Sequence, residues 1–292
     1  EGLTHWFAGQ DILFDYTMVR PVGTPLKTKG GRASGPEPLK KLLDFSRERI
    51  LASQGQKLRP LDAHDIACKI GEAIVSGGVR RTALISLFDA DDSEMLHCKD
   101  GSLLGNEQRY LANNSTVWTK EITKDKVEAQ MYTMVDGQRG EPGIFSRYNA
   151  NNTKPKRRKN ADFGTNPCGE INLRPYQFCT LTIAIARESD TLDTLKEKVE
   201  VATLIGTIQS MATNFPGLRP IWKKNCEEER LLGVDINGQM DCPLLRPTNP
   251  TLKETFSLLK AHAIETNKKY AKLLDIPRSA SITCVKPSGN SS

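Results

Sequence analysis

The chain has 292 residues, 38% hydrophobic and 26% charged, an ordinary globular composition with enough apolar material for one large domain or two ordinary ones. Apolar runs such as "TLTIAIA" and "ALISLF" are far too short to cross a bilayer and the opening residues lack a basic-then-apolar signal pattern, so neither a membrane role nor secretion is expected. A net charge of +6 favours anionic partners only mildly, and seven cysteines without a C-x-x-C pair argue against a disulfide scaffold or zinc ribbon and for a reducing cytoplasm.

In chain order, strand-like and helix-like stretches alternate, the pattern of an α/β fold. Position 1 is Glu rather than Met, and the chain is expected to be an interior piece of a longer polypeptide. "ILFDYTMV" (12–19) reads as a first strand, followed by the glycine-rich "LKTKGGRASGP" (26–36) with the cations Lys27, Lys29 and Arg32. Helices are predicted over "PLKKLLDFSRERILASQ" and "AHDIACKIGEAIVSG". In the second, His64 and Cys68 are spaced to share a face, but His5, His97 and His262 are scattered and two further metal ligands are lacking. Strands follow at "RTALISLFD" and "NNSTVW". The basic run "KPKRRK" (154–159) has no interleaved aromatic residues to stack bases and reads as solvated surface, not a nucleic-acid patch. "TLTIAIA" is a strand. Leu192 to Phe215 is a helix on which Leu195, Val199, Ala202, Ile205, Ile208 and Ala212 recur at helical spacing and are expected in the core. "SITCVK" is the last strand.

Between the polar "RYNANNTKPKRRKNADFGT" and the apolar "NLRPYQFCTLTIAIA" lies "NPCGEI", which puts an amide, a thiol and a carboxylate on alternate positions: Asn166, Cys168 and Glu170. Pro167 fixes one backbone angle and Gly169 relaxes the next, so the loop can hold those side chains in a set direction. A neighbouring carboxylate raises a thiol pKa and no histidine lies near in sequence, which disfavours a thiolate nucleophile. A neutral thiol that passes a hydrogen atom or holds a radical needs no ionisation. Glu170 then suits a general base for a substrate hydroxyl that Asn166 orients. Cys179, eleven positions beyond Cys168, reads either as half of a dithiol pair or as a small apolar strand residue.

"FGTNPCGEINLRPYQFCTLT" resembles the active-site finger loop of ribonucleotide reductases, and its cysteine spacing is similar to the adenosylcobalamin-dependent (class II, monomeric type) ribonucleoside-triphosphate reductases. The resemblance extends in order through "RPVGTPLKTKGGRASGPEPL", "HDIACKIGEAIVSGGVRRTALISLFD", "LANNSTVW", "PGIFSRYNA", "IWKKNCEEERLLGV" and "ITCVKPSG". It implies that residues 1–292 are the central portion of a ten-stranded α/β barrel with the finger loop up its centre. It assigns a thiyl radical to Cys168, which removes the ribose 3′ hydrogen, and the 3′ hydroxyl proton to Glu170. Asn166 holds the ribose hydroxyls, and Cys179 is one of two cysteines that reduce the 2′ carbon. A buried, dry setting is expected for such a site.

The same resemblance implies a specificity loop that relays effector identity, made of Lys27, Lys29, Gly30, Gly31, Arg32, Ser34 and Gly35; on its own this stretch is a flexible surface turn. It likewise implies that Pro287, Ser288 and Gly289 hold the substrate phosphates, where an isolated P-S-G is ordinarily a turn. Implied partners are a ribonucleoside triphosphate, a deoxyribonucleotide effector and thioredoxin or a similar dithiol. Adenosylcobalamin is the implied cofactor, with its binding segments mostly outside this chain. The first cysteine of the family's redox pair is expected upstream, and Cys68 does not match it. Two rival readings stand beside this one: a non-catalytic nucleotide-binding or interaction fragment of a split or truncated reductase, and a reductase with a separate radical-generating subunit, which the Cys168 to Cys179 spacing fits poorly.

Overall fold

The computed structural model describes residues 1–27, 31–76, 79–80 and 82–287. The chain divides into two compact units, Glu1–Ser146 and Arg147–Ser292.

The first unit opens with α1 (Gly2–Phe7), α2 (Glu37–Ala52) and α3 (Pro60–Ala73). Both longer helices start on a proline near N1, where the missing N–H costs nothing. A two-residue antiparallel pair, β1 (Val75–Ser76) and β2 (Val79–Arg80), follows. The sheet consists of β3 (Leu84–Asp89), β4 (Ala112–Trp118) and β5 (Gly143–Ser146), parallel and in that spatial order. The short α4 (Ser93–Leu96) and the longer α5 (Lys124–Asp136) lie in the two crossovers. Stretch 12–19 forms no strand, contrary to its alternating pattern. The Asp11 and Asp15 carboxylates accept from the backbone N–H groups of Ile12 and Thr17 at 3.0 and 2.9 Å, local bonds that replace a ladder. Phe14 packs edge-on against Trp6, while Leu13 and Met18 are exposed.

His64 and Cys68 do share a face of α3, with Sγ 3.5 Å from Nε2, and His64 Nδ1 lies 2.6 Å from Ser86 Oγ. Among the described residues no three potential ligands converge as a metal site would require. No described helix is long and apolar enough to cross a membrane.

The second unit begins with α6 (Arg147–Thr153) and a small antiparallel hairpin, β6 (Gly164–Thr165) with β7 (Asn172–Leu173). Then come β8 (Thr180–Ile185), α7 (Leu192–Gln209), α8 (Pro220–Glu229), β9 (Leu232–Asn237) and α9 (Leu252–Leu273). β8 runs parallel to β9, Thr180 opposite Leu232 through Ile185 opposite Asn237. The "SITCVK" segment lies along the other edge of β9 with a single parallel bridge, Thr283 to Val234, and bonds through Ile282 O and Cys284 N. Leu195, Val199, Ala202, Leu232, Val234, Leu259 and Ala263 form one core between the helices and the strands. Each large aliphatic side chain buried there contributes about 1.5–3 kcal/mol.

Two sequence expectations fail in α7. The helix ends at Gln209, before Ala212, and Ile205 and Ile208 are exposed. The buried stripe runs instead through Leu195, Val199, Ala202, Thr203, Gly206 and Thr207. The threonine hydroxyls are satisfied inside the helix, Thr203 donating to Val199 O and Thr207 to Thr203 O, each at 2.7 Å. Gly206 meanwhile admits the side chains of Leu232 and Thr182.

Candidate active site

The β6–β7 hairpin carries "NPCGEI" at its tip. Gly169 N–H donates to Asn166 O at 2.9 Å, closing a four-residue turn with proline second and glycine fourth, the positions a tight turn favours. Gly169 has φ +88°, a region costly for any residue with a Cβ. Asn166 ties the loop from inside: its Oδ1 accepts from Ile171 N–H at 3.0 Å and its Nδ2 donates to Glu170 Oε2 at 2.7 Å. The other oxygen, Glu170 Oε1, is buried without a hydrogen-bond partner. The hairpin thus brings the predicted amide and carboxylate into direct contact and leaves one carboxylate oxygen ready to accept a proton or hydrogen bond.

Cys168 is exposed at the tip, not buried as the radical reading requires of a finished site. Among the described residues nothing buries the thiol, which stands open at the tip. Cys179, just before β8, is largely enclosed. Burial first, then the nearby Cys284 thiol, push its pKa up to about 12. Cys284 is likewise raised to about 12 by burial, with Asp235 and Glu170 adding to the effect. Both thiols are therefore neutral at physiological pH, with roughly one in ten thousand or fewer ionised. We expect alkylation at pH 8 to label the exposed Cys168 quickly and Cys179 and Cys284 at least about a hundredfold more slowly, as followed by mass spectrometry. Equal rates at all three positions would contradict this assignment of burial.

Cys179 and Cys284 do not form a disulfide pair. Thr180 stands opposite Leu232 and Thr283 opposite Val234, so the two cysteines lie on strands two places apart and offset along them. That separates their Cα atoms by roughly 10 Å or more, beyond the ~7 Å limit for bridging.

Sequence reasoning missed what holds the hairpin. Arg158, expected on the surface, is 4% exposed. It is paired with Glu229 at the end of α8, Nε to Oε1 at 3.0 Å and Nη2 to Oε2 at 2.9 Å, while Nη1 donates to Asn172 O in β7 at 2.7 Å. Gln177 completes the cluster, donating to Glu229 Oε2 at 2.7 Å and accepting from Arg158 Nη2 at 3.2 Å. The Phe163 ring covers the guanidinium at 4.5 Å. One arginine therefore ties the root of the hairpin to α8. A second support is Gly233: a Cβ there would lie 2.5 Å from Leu181 Cδ2, 2.9 Å from Ile171 Cδ1 and 3.1 Å from Cys284 Sγ. Ile171 rests over this glycine.

Of the proposed phosphate loop, Pro287 is exposed after the Ser281–Cys284 segment, and Ser288 and Gly289 lie outside the described residues. In the first unit, Lys27, Gly31, Arg32, Ser34 and Gly35 belong to a narrow hairpin, whereas Lys29 and Gly30 lie outside the described residues. Its sides are held by a bridge between Pro25 and Arg32, a bond from Ala33 N–H to Thr24 O at 2.8 Å, and Arg32 Nη1 donating to Gly23 O at 2.8 Å.

No protein-family model matches the chain. Among curated proteins it is 28% identical over 295 residues to an adenosylcobalamin-dependent ribonucleoside-triphosphate reductase of Euglena gracilis, covering 98% of this chain and 39% of that protein. It is also 28% identical over 314 residues to the protein of the same name from Lacticaseibacillus paracasei, covering 95% of this chain and 40% of that one. The chain thus spans about two fifths of the length of the curated relatives it matches. A solved B12-dependent (class II) ribonucleotide reductase superposes with a TM-score of 0.73 at 25% identity over 92% of this chain and 40% of that structure. The α subunit of a class Id ribonucleotide reductase from Actinobacillus ureae, 13% identical with a TM-score of 0.53, shares the fold. By sequence over nearly its full length and by fold, the chain resembles part of the adenosylcobalamin-dependent ribonucleoside-triphosphate reductases.

Proposed function

We propose that residues 1–292 form a central portion of the catalytic barrel of such a reductase and carry its reacting loop. The observation that carries the reading is the turn itself: Cys168 at the tip, with Asn166 and Glu170 joined at 2.7 Å beside it, in a chain similar over almost all its length to these enzymes. Cys168 takes the 3′ hydrogen of a ribonucleoside triphosphate and Glu170 accepts the 3′ hydroxyl proton. Asn166 positions the ribose hydroxyls, while Cys179 and a second thiol supply two electrons as the 2′ hydroxyl leaves as water and a disulfide forms. Adenosylcobalamin, when bound, supplies the radical chemistry. The open approach to the Cys168 thiol suits a hydrogen-atom donor to that cofactor, and the segments that hold it are assigned outside this chain. A deoxyribonucleotide effector acts through the 26–36 loop, and thioredoxin or a similar dithiol in the cytoplasm reduces the spent pair.

The full-length protein is expected to reduce ribonucleoside triphosphates only with adenosylcobalamin and a dithiol present; no cofactor-dependent reduction under those conditions would overturn the reading. The 292-residue chain alone is expected to show no turnover, since the second thiol of the redox pair, like the cobalamin-binding segments, is assigned outside this chain. Sustained conversion by the chain alone would show that a complete dithiol lies within it.

A further inference from the structure

β9 carries a carboxylate that the reacting loop does not use. Asp235 is 4% exposed, and among the described residues its side chain takes part in no hydrogen bond or ion pair. A carboxylate withdrawn from water without a partner is costly, and native interiors hold few of them unless another group meets the charge. Asp235 lines a cavity of about 530 Å³ between β9, α9 and the 283–285 segment. Gln239 lines the same space; its Nε2 donates to Ile236 O at 2.8 Å, which fixes the amide and leaves Oε1 as a second acceptor. Most of the remaining lining is apolar, with Ile236, Phe256, Leu259 and Val285. The one basic lining residue is Lys260, which is exposed and forms no ion pair with Asp235.

We propose that this cavity binds a small ligand with a primary ammonium group on an apolar body, the ammonium held by Asp235 and Gln239 Oε1 and the body against Phe256 and Leu259. An ammonium offers three N–H donors and cancels the buried charge, which a neutral hydroxyl cannot do. A bare metal ion needs more ligands than converge among the described residues. An apolar wall with a few oriented polar groups is the usual make-up of a small-molecule site. Asn166, Cys168 and Glu170 do not line this cavity, so the proposal is independent of the reductase reading.

Calorimetric titration of the full-length protein with phenethylamine, phenethyl alcohol and phenylpropionate compares probes that share a ring and differ in charge. We expect saturable binding of the amine at least about tenfold tighter than that of the alcohol, and none of phenylpropionate at the same concentration. Asp235→Asn keeps the shape of the side chain and should abolish the preference for the amine. Cys284, on the cavity wall, locates the site: saturating phenethylamine should slow its alkylation and leave that of Cys168 unchanged. Thermal unfolding separates a binding role from a structural one. Without ligand, Asp235→Asn should melt at or above the parent temperature, because it no longer buries an unpaired charge, and the amine should raise the melting temperature of the parent but not of the variant. A variant melting well below the parent would assign the carboxylate to the fold and overturn the proposal. Lys260→Met should bind the amine at least as tightly as the parent does. Binding seen only in Lys260→Met would show that Lys260 turns inward as the counter-ion of Asp235, and would overturn a ligand site. No saturable binding by the parent, or equal binding of the amine by parent and Asp235→Asn, would do the same.

Discussion

Full-length protein carrying Cys168→Ser is expected to lose all detectable deoxynucleotide formation. A hydroxyl fills nearly the same volume at the hairpin tip, so the fold and the turn closed by Gly169 N–H and Asn166 O should persist. What disappears is a hydrogen atom weakly enough held to be exchanged with a cofactor radical. Glu170→Gln should behave differently. It keeps an oxygen able to accept from Asn166 Nδ2 but cannot accept the substrate proton, so binding should survive while turnover falls by roughly a hundred- to ten-thousand-fold. Cys179→Ser should still permit hydrogen abstraction yet block clean reduction, so that altered nucleotide accumulates in place of product. Rapid-quench analysis of nucleotide products distinguishes the three. Activity of the Cys168→Ser enzyme near that of the parent would remove the thiol from the mechanism.

The second large effect is one of stability. Arg158→Ala should cost about 3–5 kcal/mol in urea unfolding, because it leaves the Glu229 carboxylate, only 6% exposed, with Gln177 and the more distant Arg174 as its partners and removes the donor to Asn172 O. Pairing it with Glu229→Leu should recover much of that loss, since the double variant no longer buries a lone charge. A loss below about 1 kcal/mol for the single variant would mean that the pair opens readily to water.

The contrast between these two predictions reflects what a linear sequence can express. Asn166, Cys168 and Glu170 sit within five positions of one another, and proline and glycine between them announce the turn; the turn and the contact of amide with carboxylate were therefore legible. β8 was legible too, because "TLTIAIA" is apolar and β-branched and is bounded by polar residues. Arg158 was not, since nothing in a run of cations says which one turns inward. Its partner Glu229 is 71 residues away. The failure at 12–19 has the opposite cause: alternation was present, but two aspartates satisfied the backbone locally. In α7 helical spacing was real, yet the isoleucines gave way to threonines and a glycine. Small residues let the helix approach the strands, and their hydroxyls had carbonyl partners one turn back.

Gly233 carries an evolutionary consequence. It performs no chemistry and its backbone is ordinary for a strand, so by reaction logic it should drift freely. Yet Leu181, Ile171 and Cys284 already occupy the space that any larger residue would claim. Of these, Ile171 is the residue next to Glu170. A substitution at 233 would press on the hairpin from beneath and shift its carboxylate, so, under the proposed chemistry, selection acting on Glu170 would reach a residue that carries no reactive group. On that reading Gly233 would be constrained as firmly as a reactive group, and its replacement by Ala would be expected to displace Ile171 and the adjoining Glu170.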